Sequence, residues 1–339
     1  VKISKESLQN AVKKVRPGVS ANDTIGGMGN YVFYRKYIVS YSNRMTVRHP
    51  ISTNLSAIVK ATDLNNLLSN LSAKDLLIQE KGDTLEIRTK KSTSKLSLFE
   101  DKEMKRRILM VNKSLRSTTW IPISTSFVSS LEMCAEAAIQ KDTGSTLSYI
   151  FVQGNTALAS DNNRIARAEF EGPAFVDSLL IPAKEVKHIS AIDPVEIGIS
   201  KAWIHFKNED GCILSVRITS GEFPDFSKFF IFDGETVQFS EESLDNVNTA
   251  ALFTEKENPI IFVELEDGKM TMRSRSISGT FRHTSDLDYS GPILKFSINP
   301  RFFQHMLSYS TTFVISADRV RVDLDTEKFS IVSSIIKEG

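Results

Sequence analysis

A short pattern recurs six times along this 339-residue chain, and it limits the available folds more than any single motif does. In each copy an apolar residue ends a strand-like run, a capping-type or small polar residue follows, and apolar residues return at helical spacing. The first three copies read Ile3-Ser4-Lys5-Glu6-Ser7-Leu8, Val59-Lys60-Ala61-Thr62-Asp63-Leu64 and Ile123-Ser124-Thr125-Ser126-Phe127-Val128. The others read Ile181-Pro182-Ala183-Lys184-Glu185-Val186, Phe239-Ser240-Glu241-Glu242-Ser243-Leu244 and Ile298-Asn299-Pro300-Arg301-Phe302-Phe303. Their starts lie 56, 64, 58, 58 and 59 residues apart. A period of that length marks one supersecondary unit copied along a chain.

Each copy opens a helix for local reasons. Ser4, Ser124, Ser240 and Asn299 offer side-chain acceptors to the free N–H groups of a first turn, and Pro182 and Pro300 suit a helix entry. Apolar residues then follow the 3.6-residue period, as in Leu64, Leu67, Leu68 and Phe303, Met306, Leu307. After each helix come strand runs broken by turn residues. Asp267-Gly268, between Ile260–Leu265 and Lys269–Ser274, supplies the positive φ angles of a tight hairpin; Gly82-Asp83, Gly154-Asn155 and Asp210-Gly211 read the same way. The unit is a strand, a short helix and about three strands. One unit is too small to bury both its faces. Consecutive units therefore pair into three similar α+β domains, expected at 1–117, 118–232 and 233–339, each of two β-α-β-β-β units.

Composition narrows the function classes. With 41% hydrophobic and 24% charged residues, the chain reads as soluble and globular. It has no apolar run of membrane-spanning length, and Val1-Lys2-Ile3-Ser4 does not read as a secretory signal. Cys134 and Cys212 fall in apolar patterns, so free, packed thiols and a cytoplasmic setting are expected. The net charge of +1 argues against binding nucleic acid by bulk electrostatics. A DNA role would have to rest on a local basic face or on topology.

Catalytic, metal and cofactor readings find little support. His49, His188, His205, His283 and His305 are scattered, without ligand spacing or cysteine partners. Gly26-Gly27-Met28-Gly29 lacks the lysine and hydroxyl of a phosphate loop and reads as a turn. Asp286 and Asp288 fit a solvated loop better than a cation site. No nucleophile–base set is visible, so no catalytic residue, metal or cofactor is expected.

Several segments resemble the bacterial DNA polymerase III β subunit, the β sliding clamp family. Ala157-Leu158-Ala159-Ser160-Asp161-Asn162-Asn163-Arg164-Ile165-Ala166 is similar to that family's "VATDGHRLA" stretch, and Gly221-Glu222-Phe223-Pro224-Asp225-Phe226 to its "GRFPDY" joint. Leu180-Ile181-Pro182-Ala183-Lys184 resembles "VIVPRK", and Leu252 to Lys256 resembles "ILSNEK". The likeness runs the length of the chain, in order. There are departures: Asn162-Asn163 stands for the Gly-His pair, and the first domain's "TDLE" is replaced near Ser40–Arg44. The usual "DFP" is replaced by Lys102-Glu103-Met104-Lys105-Arg106-Arg107, read as a basic linker. These mark a divergent clamp, bacterial or phage-encoded.

The resemblance implies a DNA clamp fold, with helices lining a ring and sheets outside, and a non-enzymatic processivity factor that encircles double-stranded DNA without sequence preference. Its implied DNA-facing residues are Lys13, Lys14 and Arg16 on the first helix, Lys141 ending the third, Lys184 and Lys187 on the fourth, and Arg301 on the sixth. It implies a peptide groove for a DNA polymerase and a clamp loader at Leu147, Ser160, Asn162, Asn163, Arg164, Ile165, Pro224, Lys228, Phe229 and Val332. A homodimer would close through Leu96, Ala251 and Leu252. No membrane partner is expected. The alternative is a DNA-associated structural protein that keeps the clamp fold without closing a ring.

Overall fold

The computed structural model describes residues 1–20, 27–141 and 144–337. Six strand–helix openings appear where the repeat places them. The first two copies run β1 (Lys2–Ser4), α1 (Lys5–Val15), β2 (Asn30–Tyr41), β3 (Met45–Leu55), then β4 (Ile58–Lys60), α2 (Ala61–Asn70), β5 (Asp75–Lys81), β6 (Thr84–Arg88), β7 (Thr93–Ser97). A helix outside the repeat follows, α3 (Lys102–Arg116). The third and fourth copies run β8 (Trp120–Pro122), α4 (Thr125–Ala135), β9 (Tyr149–Gly154), β10 (Thr156–Ser160), β11 (Arg164–Glu169), then β12 (Phe175–Pro182), α5 (Val186–Ser190), β13 (Glu196–Ile199), β14 (Trp203–Lys207), β15 (Ile213–Arg217). The last two run β16 (Glu235–Gln238), α6 (Ser243–Ala251), β17 (Ile261–Glu266), β18 (Lys269–Ser276), β19 (Gly279–Asp286), then β20 (Leu294–Ile298), α7 (Pro300–Leu307), β21 (Thr312–Ile315), β22 (Arg319–Leu324), β23 (Phe329–Ser334), β24 (Ile336–Lys337).

The local chemistry of these openings is visible. Ser4 accepts from the Ser7 N–H at 3.0 Å, Ser124 from Phe127 at 3.1 Å, and Asn299 from Arg301 at 2.9 Å, with Pro300 in the first turn of α7. Ser240 does not cap: α6 starts later, at Ser243, behind Glu242. Asp267 and Gly268 both carry positive φ (51° and 71°), which closes the β17–β18 hairpin in two residues. Gly27 lies in a turn before β2, while Gly26 lies outside the described residues. Glu338 and Gly339 at the end of the chain also lie outside them.

All strands pair antiparallel in four sheets, ordered β1-β5-β6-β7, β4-β2-β3-β15-β14-β13-β8, β12-β9-β10-β11-β23-β22-β21-β16 and β19-β18-β17-β20-β24. Pairing therefore crosses the boundaries expected between domains, at β3·β15 and at β11·β23. As a result the chain clusters into two compact units, Val1–Val128 with Glu185–Ser220 and Ser129–Lys184 with Gly221–Gly339. The middle pair of repeats is shared between them.

In the first unit, α1 buries Leu8, Ala11, Val12 and Val15, and α2 buries Leu64 and Leu68. The basic run at Lys102–Arg107 is no linker. It opens α3, capped by Asp101, whose carboxylate accepts from Met104 N–H at 2.8 Å. Met104, Ile108, Val111 and Leu115 recur at 4, 3 and 4 residues and pack on Val39, Tyr41, Trp203 and Ile213. Charges crowd the first two turns, while Leu109 and Met110 are exposed further on, which is why the run reads as a linker when only its first six residues are weighed. In the second unit Phe239, Phe303 and Phe313 pack edge-on, with centroids 4.9–5.4 Å apart. Cys134 and Cys212 are free and buried. Among the described residues no helix is long and apolar enough to cross a membrane.

Candidate functional site

A surface with an apolar cluster beneath it lies in the second unit, where β11 meets β23. The Asp161-Asn162-Asn163 turn joins β10 to β11, with Asn162 at φ +75°. Asp161 accepts from the N–H groups of Asn163 and Arg164, both at 3.1 Å, and from Arg164 Nε at 3.0 Å. Ser160 Oγ donates to the Arg164 carbonyl at 2.9 Å. The Asn163 carbonyl in turn accepts from Ser334 N–H at 2.8 Å and from its hydroxyl at 3.0 Å, so the turn holds the end of β23. That tie sets the register, and Ile165 stands opposite Val332.

Over this strand pair lies the joint 221–232. Its 3-10 turn Ser227–Phe230 buries Phe230 against Ile165 and Val332, with Leu158, Phe226 and Phe232 around them. Phe229, the neighbouring ring, points outward and is 44% exposed; Ile231 is 81% exposed, and Pro224 and Lys228 are exposed beside them. Phe226 meets Phe229 edge-on at 5.9 Å, and Arg319 covers Phe229 and Phe232 at 5.4 and 5.6 Å. Arg321 lies 5.1 Å from Phe232 and donates to the Phe230 carbonyl at 2.7 Å. Thr146 donates to the Glu222 carbonyl at 3.1 Å, bringing the turn that carries buried Leu147 beside the joint. The surface is thus an apolar, aromatic patch with arginine edges.

Arg164 braces this patch from beneath. It is 4% exposed, with its guanidinium 4.6 Å from the Phe302 ring and bonded to the Glu136 carbonyl. Its Nη1 faces His305 Nδ1 at 3.1 Å, while His305 Nε2 faces Tyr309 Oη at 3.2 Å. Burial pushes the His305 pKa down to about 4. A neutral ring suits the place, because Nδ1 can then accept from Arg164 and Nε2–H donate. Ser160 is buried as well, which leaves Asn162, Asn163, Pro224, Lys228 and Phe229 as the accessible members of the expected groove. Phe226, Phe230, Phe232, Arg319 and Arg321 were missed. The run of aromatics from Phe223 to Phe232 was the available signal.

The expected DNA-facing cations fall in both units. Lys13 on α1 is exposed and Lys14 half-buried, while Arg16 is exposed just past α1, at the start of the 3-10 turn Arg16–Gly18; Lys187 on α5 and Arg301 on α7 are exposed. Lys141 does not end a helix: α4 stops at Ala135, and Lys141 lies exposed in the loop beyond. Lys184 is half-buried in the 3-10 turn Ala183–Glu185, ahead of α5 rather than on it.

Two of the outer strands carry or adjoin the residues expected at a joint between chains. In the first unit β7 is an outer strand, carrying half-buried Leu96; in the second, β19 is an outer strand. Near β19, Leu252 is 75% and Ile277 98% exposed, Ala251 is half-buried, and Phe253 stacks on Phe281 at 6.1 Å. Among the described residues no three His, Cys, Asp or Glu side chains gather where they could hold a metal ion.

No protein-family model matches the chain. In sequence it is similar to the β sliding clamp of Chlamydia trachomatis, 27% identical over 165 residues, which cover 46% of this chain and 39% of that protein. The match to the Chlamydia muridarum clamp is alike, so the matched part spans less than half the length of these relatives. The β sliding clamp of Mycoplasma genitalium is 22% identical over 91% of this chain and 90% of its own. The fold is close to that of the DNA polymerase III β chain of Streptococcus pneumoniae, with a TM-score of 0.83 at 17% identity over 99% of both chains. It is equally close to a sliding clamp from Pseudomonas aeruginosa, with a TM-score of 0.83 at 15% identity. The six strand–helix repeats, the Phe-Pro-Asp joint over β11 and β23, and these likenesses agree: the chain has the fold of the β sliding clamps and is similar to them in sequence at low identity.

Proposed function

We propose that this protein is a DNA sliding clamp, a non-catalytic processivity factor that encircles duplex DNA as a head-to-tail dimer. It would tether a replicative DNA polymerase, receive a clamp loader, and work in the cytoplasm at the nucleoid. The observation that carries the reading is the fold match over essentially the whole chain, joined to sequence relatives that are all named β sliding clamps. On this reading 1–117, 118–232 and 233–339 are three clamp domains, and two chains supply the six of a ring. Processivity then comes from topology, and the near-neutral net charge is no obstacle. Lys13, Lys14, Arg16, Lys187 and Arg301 would make exchangeable phosphate contacts, with Lys141 and Lys184 at their margins.

The test is retention. Loaded protein should stay on nicked circular duplex and run off when the circle is linearised. Lys13→Glu with Lys187→Glu should lower retention alike on unrelated sequences. Tight, sequence-selective binding of a short linear duplex by the protein alone would sink the reading.

The patch over β11 and β23 would seat the partner peptide, its aromatic and leucine side chains beside Phe229 and its polar groups at Asn162–Asn163 and Lys228. A peptide of the Gln-Leu-x-Leu-Phe kind should bind at about micromolar strength, roughly −8 kcal/mol. Phe229→Ala should weaken it by about 1–3 kcal/mol in calorimetry, with folding unchanged because that ring is already half in solvent. Unaltered affinity in Phe229→Ala would place the peptide elsewhere.

A further inference from the structure

A cavity of about 610 Å³ opens in the first unit between β2, β3 and α3, and four cations line it: Arg35, Arg48, Lys113 and Arg116. No carboxylate lines it, and among the described residues none of the four has an ion-pair partner. A local excess of this kind stands out in a chain whose net charge is +1. Like charges drawn together without a counterion raise the energy of the folded state, and an anion lowers it again.

Arg48 shows the imbalance most clearly. It stands on β3 with its guanidinium 4.3 Å from the Tyr37 ring, and its Nη1 donates to Asn112 of α3 at 3.0 Å. Its Nε is buried with no hydrogen-bond partner. A buried donor left without an acceptor destabilises the folded chain. Burial acts first against the Arg48 cation, Tyr37 and to a lesser degree Cys212 offset part of it, and the charge of Arg116 adds to it; no carboxylate is among the groups that support it. An anion in the cavity would answer both the charge and the spare donor.

The backbone adds a second feature. Arg35 sits at φ +55°, a left-handed conformation that ordinary side chains avoid, at the point where the β2–β3 register slips between Arg35 and Tyr37. A bulge of this kind re-aims side chains, and it costs strain that other contacts must hold. Here it lies within Tyr34-Arg35-Lys36-Tyr37, where rings and cations interleave. Tyr34 and Tyr37 line the cavity, and both are half-buried. Rings that can stack on bases, set among cations that can pair with phosphates, make up a platform for single-stranded nucleic acid. Acidic protein segments would use the cations but have no need of the two rings.

We propose that this cavity binds a short single strand of nucleic acid, its phosphates on Arg48, Lys113 and Arg116 and a base against Tyr34 or Tyr37. The site is separate from the residues assigned above to duplex and peptide, and it does not depend on ring closure. The test measures a fluorescently labelled oligo(dT) of about twelve nucleotides on the full chain by anisotropy, a length within the usual range of single-strand sites. Lys113→Glu with Arg116→Glu, both exposed positions on α3, should weaken binding about 10-fold or more. The slope of log K against log salt should fall by about 1.4 for the two lost phosphate contacts. The charge-matched pair Lys201→Glu with Lys256→Glu, exposed elsewhere, should change neither. Equal losses in both pairs, or none in the first, would overturn the site. A glutamate-rich peptide that displaces the oligonucleotide at lower concentration would assign the cavity to an acidic protein. Thymidine monophosphate binding as tightly as the strand would reduce it to a nucleotide pocket.

Discussion

Leu252→Asp is expected to convert a dimer of about twice 37.9 kDa into a monomer of 37.9 kDa in size-exclusion light scattering. Leu252 follows the last turn of α6 and is 75% exposed in the single chain. Ile277, in the turn before β19, is 98% exposed, and β19 itself is an outer strand, paired with β18 on one side and with no strand on the other. An edge that bare, with apolar side chains beside it, invites pairing with another chain unless something covers it. The outer strand β7, with Leu96, offers the matching kind of edge. In a head-to-tail dimer the two joints are identical by a twofold axis, and both edges are used. An aspartate at Leu252 would put an unpaired charge into each joint, at a cost of several kcal/mol twice over. The subunit should stay folded, since the position is open to solvent without a partner. A wild-type monomer at tens of micromolar, a trimer, or an undiminished Leu252→Asp dimer would refute the ring.

The second large effect concerns α3. Ile108→Asp should destabilise the first unit by about 4 kcal/mol or more, since it deletes a buried side chain and strands a carboxylate. Ile108 is 2% exposed and lies in the row Met104, Ile108, Val111, Leu115 against Tyr41, Trp203 and Ile213. Hydrogen exchange should show the amides of 102–116 losing protection together. Met110→Asp, one turn-face away at 64% exposure, should stay within about 0.5 kcal/mol of the wild type. Similar small effects from both would return the segment to the status of a linker. The difference matters because α3 also forms one wall of the cationic cavity.

Local chemistry was legible in the sequence to a useful depth. The caps at Ser4, Ser124 and Asn299, the Asp267-Gly268 hairpin and the six helix starts each depend on neighbours within a few residues. Such features are written where they act, and the repeat they make was enough to reach an α+β chain of six like copies; the clamp fold itself came only from the resemblance. The helix α3 was legible too, in Asp101 and the 4-3-4 apolar spacing that follows it, but a dense basic run drew attention to charge rather than to period.

The candidate site was legible only as a stretch of chain. Ser160 to Ile165 and the aromatic joint were recognisable, yet which of Phe229 and Phe230 goes inside is decided by a 3-10 turn closing over β11 and β23. Arg164 reads as a free polar edge until His305, 141 residues away, takes its guanidinium into the interior. Arg319 and Arg321 join the joint from another repeat altogether. The sequence by itself thus determined the units, their number and their local turns, because hydrophobic period, caps and turn residues act through adjacent bonds. Only the tertiary structure decided which edges pair, which rings are covered and which cations are left without a partner. Those outcomes depend on burial and charge shared between segments that meet only when the sheets assemble.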